Sequence, residues 1–249
     1  MKQFRSLRLP LFSVVLLLVT SCGGRDEKTG ASTTATDSTT TTTSAPATTT
    51  SAPAIDTTPV TIMIARHKVT NFAKWKASYE AHDSMRVASG LHNFVIGRGV
   101  PDSNMVMVAV KADDVAKAKA FSKNASLKKA MQQGGVVGTP TFMFHTMVYQ
   151  DNAPNMPDLR SMTNFTVKDW TAWKKSFDSN RQVRLDNGLT DRAYGHDVDD
   201  NHKVVLVVAI NDSAKANAFW KSDLIKQKRA ESGVVGEPKR FVYRVVQKY

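Results

Sequence analysis

Two arginines at equivalent places in the chain are the residues whose type and position best suggest chemistry. Arg86 and Arg184 each fall on the apolar face of a predicted helix, where a guanidinium is costly to bury unless it is paired. One interpretation is an anion-binding group in a pocket between helix and sheet. The other, which we favour, is a structural ion pair with Asp102 and Asp200 or another carboxylate, or a side chain that reaches solvent near the helix end.

Aromatic and imidazole side chains extend this candidate site. Trp75 and Trp173 could stack on a planar ligand, although their helical spacing from other aromatic residues is more typical of core positions. If a haem or a metal is bound, His82 and His145 in the first half of the chain are the better candidates. No two histidines have the spacing of a metal motif, so we predict no metal site. The candidate ligand-binding residues are Trp75, His82, Arg86, His145 and Arg184.

Common catalytic motifs are absent from the sequence. The Gly-Val-Val-Gly segments at 135–138 and 233–236 lack the Lys-Ser/Thr of a phosphate-binding loop and the glycine spacing of a dinucleotide fingerprint. Each precedes a predicted strand, so we interpret both as turns. There is no Gly-x-Ser-x-Gly motif, and the single cysteine, Cys22, lies in the N-terminal segment. Whether the protein is an enzyme is therefore left open.

The elements that must position these residues occur twice. Residues 61–151 align with 159–249 at a fixed offset of 98, with 26 identities in 91 positions and no gap. Trp75 aligns with Trp173, Arg86 with Arg184, and the two Gly-Val-Val-Gly segments with each other. This similarity indicates an internal duplication.

Each repeat has the pattern of a β-α-β-β-α-β unit. A helix with a 3.6-residue apolar period, over about 71–88, follows a first strand and ends before Gly90. Asp113 or Asp114 caps a second helix that Asn124 interrupts. The predicted strands of the first repeat are 60–67, 91–99, 104–111 and 141–149. This order is that of a ferredoxin-like unit.

A four-stranded antiparallel sheet with helices on one face needs cover on the other face, and the second repeat supplies it. The chain over 60–249 therefore resembles the dimeric α/β-barrel superfamily, in its Trp- and Arg-bearing helix and its Gly-Val-Val-Gly-x-Pro segments. We predict an α+β fold of two tandem ferredoxin-like repeats, 60–152 and 153–249, which form an intramolecular pseudo-dimer and a monomeric protein. The superfamily includes antibiotic-biosynthesis-monooxygenase-like, haem-handling and stress-responsive barrel proteins, so the resemblance implies fold more than function.

The N-terminal segment predicts export and lipidation. Lys2, Arg5 and Arg8 precede a nine-residue apolar stretch at 11–19, which is too short to span a bilayer and is typical of a signal peptide. Residues 19–22, Val-Thr-Ser-Cys, resemble a lipobox. We predict a signal peptide at 1–21 and acylation of Cys22, with fatty acids such as palmitate, as a membrane anchor.

A tether follows the anchor. In 25–59, 14 of the 35 residues are Thr and four are Ser, so we predict that 22–59, from the lipidated Cys onward, is a disordered tether. The signal peptide holds three of the 34 basic residues and none of the 22 acidic ones, which leaves a mature charge of +9. Export argues against a nucleic-acid partner. Gly23 after the cysteine favours the outer over the inner membrane, by resemblance to known sorting signals.

These observations predict an envelope lipoprotein whose barrel binds a small hydrophobic or anionic ligand without catalysis and without a cofactor. One alternative is a monooxygenase-like enzyme, either cofactor-free or haem-dependent. The other is a structural or partner-binding module. A cavity of several hundred Å³ is expected for either of the first two functions, and a filled core for the third.

Overall fold

The computed structural model describes residues 54–249, which contain two β-α-α-β-β-α-α-β repeats. After a two-residue strand β1 (Ile55–Asp56), the first repeat comprises β2 (Val60–Val69), α1 (Phe72–Ala81), α2 (Asp83–Val87), β3 (Leu91–Gly99), β4 (Met105–Ala112), α3 (Val115–Ser122), α4 (Ala125–Gln133) and β5 (Val136–Asp151). The second comprises β6 (Leu159–Val167), α5 (Trp170–Ser179), α6 (Arg181–Asp186), β7 (Leu189–Asp197), β8 (Lys203–Ile210), α7 (Ser213–Lys221), α8 (Asp223–Glu231) and β9 (Val234–Lys248).

The strands form one nine-stranded sheet that closes on itself. Within the repeats the order is β5-β2-β4-β3 and β9-β6-β8-β7, with every pairing antiparallel. The last strand of each repeat also pairs with the second strand of the other, β9 with β3 and β5 with β7. These reciprocal pairings join the two sheets along both edges into an eight-stranded barrel. The predicted α+β fold of two ferredoxin-like repeats in an internal pseudo-dimer is confirmed.

The strands bury side chains on both faces. Inside the barrel, alternate residues of both repeats form one core, which includes Ile62, Ile64, Met162 and Val245. On the outside, the helices cover further clusters, with Trp75 buried in the first repeat and Trp173 in the second. The period-2 alternation of a strand therefore divides the side chains between barrel interior and helix layer.

The helix predicted at 71–88 is in fact two helices, α1 and α2. Its counterpart in the second repeat is likewise divided, into α5 and α6. The breaks lie at His82 and Asn180, whose side chains contact the carbonyl oxygens of Ser78 and Ser176, four residues earlier, at 2.7 Å. A side chain that bonds this carbonyl competes with the helical backbone, which explains the break. As predicted, Gly90 adopts a positive φ (68°) after the second piece.

The sequence predicted that the Gly-Val-Val-Gly segments are turns. This prediction is wrong, because strands β5 and β9 begin within them. The register of β5 against β2 shifts between Arg66 and Lys68, which marks a bulge there. Gly138, with φ 71°, supplies the backbone conformation that this bulge requires. A glycine and a proline inside a strand have the same sequence signature as a turn, which accounts for the error.

Cys22, the predicted signal peptide and most of the predicted tether lie outside the described residues. Ile55 and Asp56, assigned to the tether, instead pair with Asp151 and Gln150 at the end of β5. These two residues are therefore strand residues and not part of a disordered segment. Within 54–249, no helix is long and apolar enough to cross a membrane.

Candidate functional site

Each repeat contains a cavity between its helices and the outer face of its sheet. The cavity of the first repeat has a volume of about 60 Å³, and Trp75, His82 and Arg86 are among its lining residues. That of the second repeat has a volume of about 110 Å³ and is lined by Trp173 and Arg184, among others. The duplication thus places four of the five predicted ligand-binding residues in two equivalent cavities.

Arg86 is buried in the wall of the first cavity, and all three nitrogens of its guanidinium donate hydrogen bonds to neighbouring groups. Its Nε donates to Asn93 Oδ1 at 3.0 Å, Nη1 to the carbonyl oxygen of Tyr79 at 2.7 Å, and Nη2 to Asp83 Oδ1 at 3.0 Å. The guanidinium carbon also lies 3.7 Å from the centre of the Tyr79 ring. Each of the three guanidinium nitrogens of Arg86 therefore donates to the scaffold, which holds the side chain in place.

Arg184 occupies the equivalent position in the second repeat with a stronger partner. Its Nε and Nη2 donate to the two carboxylate oxygens of Asp191, at 2.7 and 2.6 Å, and Nη1 donates to the carbonyl oxygen of Phe177. Both members of this pair are buried. The structural ion pair that we favoured is present, and its partner is another carboxylate instead of Asp200.

The two carboxylates proposed as partners lie elsewhere. Asp102 pairs with Lys68 at 2.9 Å, and Asp200 with Lys203 at 3.1 Å, both at partly exposed positions. The physical reason is that each lies in the loop between the second and third strands of its repeat, at the far end of the second strand from the arginine.

Trp75 and Trp173 are core residues that also form cavity walls. They are 3% and 2% exposed. The Trp75 ring stacks on Tyr79, with centroids 5.3 Å apart, and the Trp173 ring stacks on Phe177 at 5.0 Å. Only the part of each indole that faces the cavity is free to contact a ligand.

The two histidines proposed as haem or metal ligands lie on opposite faces of the sheet. His82 lines the helix–sheet cavity. His145 alternates on β5 with Met143 and Met147, which belong to the barrel core, and it pairs in register with Ile62 of the same core. They cannot share a ligand, because the sheet separates them.

His67 is the buried histidine of the first cavity, and we had not selected it. Both of its ring nitrogens lack a hydrogen-bond partner among the described residues, and its ring lies 5.5 Å from that of Trp75. Burial lowers the pKa of His67 from 6.5 to about 4, so the ring is neutral at pH 7. Its counterpart in the second repeat is Phe165. This difference between the repeats was the feature of the sequence that could have identified His67 as a candidate.

Basic residues at the second cavity were also missed. Arg229 and Arg240 line it, and the guanidinium carbon of Arg240 lies 4.0 Å from the centre of the Trp220 ring. Neither arginine forms an ion pair within 54–249, although Glu237 acts on Arg229 from a longer distance. Partial burial and the charge of Arg229 lower the pKa of Arg240 to about 10. Two like charges therefore lie beside an apolar cavity.

The same comparison of repeats would have revealed these arginines. Arg229 aligns with Met131 and Arg240 with Phe142, which line the first cavity. At these two positions the first cavity has apolar side chains and the second has basic ones. The two cavities share a frame and differ in charge.

Two sheets closed by reciprocal edge pairing, with helices outside and a cavity under each helix layer, identify the architecture. The chain has the dimeric α/β-barrel fold. An anthrone oxidase-like protein is similar to it with a TM-score of 0.52 at 14% identity, over 78% of this chain and 95% of that one. A protein from Fusobacterium nucleatum proposed to be a monooxygenase matches with a TM-score of 0.50 at 13% identity, over 76% and 93%.

A haem-binding protein from Thermus thermophilus matches this dimeric α/β barrel less well, with a TM-score of 0.47 at 9% identity, over 78% of this chain and 94% of that one. No protein-family model matches the sequence, and no curated protein is similar to it. At these identities the likeness concerns the fold alone.

Haem is larger than either helix–sheet cavity. A ligand of that size needs roughly several hundred Å³, whereas the helix–sheet cavities measure about 60 and 110 Å³. His67, the buried histidine beside Trp75, faces the smaller one. Within residues 54–249, no three His, Cys, Asp or Glu side chains are grouped so that they could hold a metal ion.

Proposed function

We propose that this protein is a lipid-anchored envelope protein whose second repeat binds a small anionic ligand with an apolar body, without catalysis. The observation that carries the proposal is the pair of arginines, Arg229 and Arg240, that lie without ion-pair partners within 54–249 beside the apolar cavity. An anionic group would rest between these guanidinium groups, which suit carboxylates through paired donors. The apolar part would contact Trp173, Phe177 and Trp220.

The cavity volume limits the ligand. About 110 Å³ is less than the several hundred Å³ expected from the sequence, and somewhat less than the roughly 150 Å³ of a cavity that holds benzene. A short alkyl chain fits this space, and a single ring fits it in part, with the charged group outside the cavity at the arginines. A large planar ligand does not fit.

Arg184 supports binding without contacting the ligand's charge. Because Asp191 satisfies its guanidinium, Arg184 fixes helix α6 against β7 and so holds the cavity wall in place. The predicted role of Arg86 and Arg184 as direct ligand-binding residues is therefore replaced by one of positioning. Acylation at Cys22 would supply the bilayer as the second partner, and the tether would hold the barrel away from it.

Benzoate is a suitable test molecule, because it carries one ring and one carboxylate. We expect full-length protein to bind benzoate in calorimetry, and benzyl alcohol, its neutral analogue, at least tenfold more weakly. The variant Arg229→Met/Arg240→Phe carries the residues of the first repeat at these positions, so it should fold and lose benzoate binding. Lysine at both positions is the matched control and should retain part of it. Equal binding of benzoate by wild type and the Met/Phe variant would contradict the proposal.

A cofactor-free oxygenase in the first repeat is a second candidate. It is favoured by the neutral His67, unpartnered among the described residues, beside Trp75 and by the names of the two structural neighbours. A base with a pKa of about 4 is weak, and the cavity of about 60 Å³ is small, so this function ranks second. The test is oxygen uptake with anthrone, which would become anthraquinone and water. This three-ring molecule is larger than the cavity, so turnover also requires that the helices α1 and α4 move away from the sheet. Uptake that His67→Phe abolishes would support it, and no uptake by wild type would exclude this substrate.

A further inference from the structure

The interior of the barrel contains a cavity that is separate from both helix–sheet cavities. Its volume is about 80 Å³, and much of its wall is apolar, with Met107, Met147 and Met162 among the lining residues. Polar side chains gather at one end of it: Gln150, Asp151, Arg160, Arg192 and Tyr243. Exposed Asn152 also lines the cavity, so this end lies next to solvent.

Two buried arginines face one carboxylate at this end. Arg160 is 7% and Arg192 is 8% exposed, and Asp151 is 7% exposed. Nη1 of Arg192 lies 3.6 Å from Asp151 Oδ1 and donates to the carbonyl oxygen of Ala153 at 3.4 Å. Arg160 forms no ion pair within residues 54–249, and the Nε atoms of both arginines are buried without a hydrogen-bond partner there. The polar end thus carries one positive charge in excess.

The fold itself does not require these charges. The first repeat builds the same sheet positions with Ile62 in place of Arg160 and Phe94 in place of Arg192, and both of those residues line the same cavity from the other side. A buried charge without a counter-charge is costly. Arginines that only one repeat carries, at inward strand positions, are therefore better explained by a ligand than by the scaffold.

We propose that the barrel interior binds a small monocarboxylate between Arg160 and Arg192. The carboxylate supplies the single negative charge that the polar end lacks and accepts from the two unpartnered Nε–H groups. Burial raises the pKa of Tyr243 to about 12, so its hydroxyl remains protonated and can donate as well. A short alkyl tail contacts Met107, Met147 and Met162. This site differs from the one under Proposed function in position, in lining and in the size of ligand.

The test uses butyrate as the probe and n-butanol as its neutral analogue, with full-length protein in low-chloride buffer. We expect calorimetry to show butyrate binding, with n-butanol bound at least tenfold more weakly. Arg160→Ile restores the residue of the first repeat and leaves Arg192 paired with Asp151, so it should bind butyrate at least tenfold more weakly. Its melting temperature without butyrate should equal or exceed that of wild type, because the excess charge is removed.

Two controls separate the possible outcomes. Arg160→Lys keeps the charge but loses the planar fork, so we expect intermediate affinity. Because a short alkyl carboxylate also suits the helix–sheet cavity, wild type and Arg160→Ile are also compared in the Arg229→Met/Arg240→Phe background, which removes two basic side chains of that cavity. In this background the barrel site should keep its preference for butyrate and its dependence on Arg160, even if benzoate binding fails. The proposal is overturned if wild type does not prefer butyrate to n-butanol, or if Arg160→Ile keeps wild-type affinity. It is equally overturned if Arg160→Ile melts at a lower temperature without butyrate, since Arg160 would then belong to the scaffold.

Discussion

Arg184 and Asp191 form a bidentate pair in which both side chains are buried, whereas Arg86 meets neutral Asn93 at the equivalent place. The negative partner of Arg86 is Asp83, whose side chain is half exposed. The duplication therefore preserved the arginine while it changed the partner. Replacing Arg86 and replacing Arg184 should therefore lower the free energy of unfolding by different amounts, although the two positions are equivalent.

We predict that Arg184→Met lowers the free energy of unfolding by about 3–5 kcal/mol, because Asp191 is left buried without its counter-charge. Arg86→Met should cost less, since its partners are a neutral amide and a solvated carboxylate. Urea denaturation of both variants measures the difference. Arg184→Met/Asp191→Leu is the matched control and should recover much of the loss. Equal losses for the two single variants would show that the buried carboxylate is not what matters.

Each repeat depends on the other for two strand edges. In the whole chain, β9 covers the edge of β3 and β7 covers that of β5. We expect a chain of residues 54–152 alone to form a homodimer through β3–β5 pairing between copies, because the exposed edges and barrel face favour association. Sedimentation velocity would show this, with 54–249, which we expect to be a monomer, as the control. A stable monomer of 54–152 would mean that the barrel face does not drive association.

The fold could be predicted because each sequence pattern of a strand, helix or cap occurs twice, once in each repeat. Strand alternation, the Asp114 cap and the glycine at position 90 all have simple local causes. The breaks at His82 and Asn180 depend on a side chain competing with its own helix, which periodicity does not record. The bulge at Gly138 looks like a turn in sequence, because the strand with which it pairs is distant in the chain.

The site was harder to predict because residue type does not reveal a partner. Arg86 and Arg184 fall on the apolar faces of their predicted helices, yet nearby side chains and carbonyl oxygens accept hydrogen bonds from both guanidinium groups. The arginines without ion-pair partners in the described residues lie where the two repeats differ, as at Arg160 and Arg229. Residues that are identical in the two repeats belong to the scaffold. Residues that differ between the repeats are therefore better candidates for contacting a ligand.

Cys22→Ser tests the proposed anchor, which lies outside the described residues. Without acyl chains the protein should leave the membrane fraction or accumulate as an unprocessed precursor, since two or more chains are needed for firm attachment. Fractionation, together with the intact mass of the mature N-terminus, measures both outcomes. Ser21→Ala, which keeps a small residue before the cysteine, is the control and should remain anchored. Normal membrane retention of Cys22→Ser would exclude lipidation as the anchor.

Two buried histidines predict a loss of stability in mild acid. Burial lowers the pKa of His67 and of His145 from 6.5 to about 4. Above pH 6.5 both folded and unfolded chains hold neutral rings, so the stability contribution is constant. Between pH 6.5 and about 4 the unfolded chain binds protons that the folded chain excludes, so stability falls as the pH falls. Below about pH 4 this effect is complete, at about 3 kcal/mol for each histidine.

Urea denaturation at pH 7.5, 5.5 and 4.5 measures this dependence. The second repeat supplies the matched variants, because it has Phe165 in place of His67 and Tyr243 in place of His145. We expect His67→Phe and His145→Tyr each to reduce the difference in unfolding free energy between pH 7.5 and 4.5. Titrating carboxylates contribute equally to wild type and variants, so the comparison isolates the imidazoles. If both variants keep the wild-type pH dependence, then the two rings take up protons in the folded barrel as readily as in the unfolded chain.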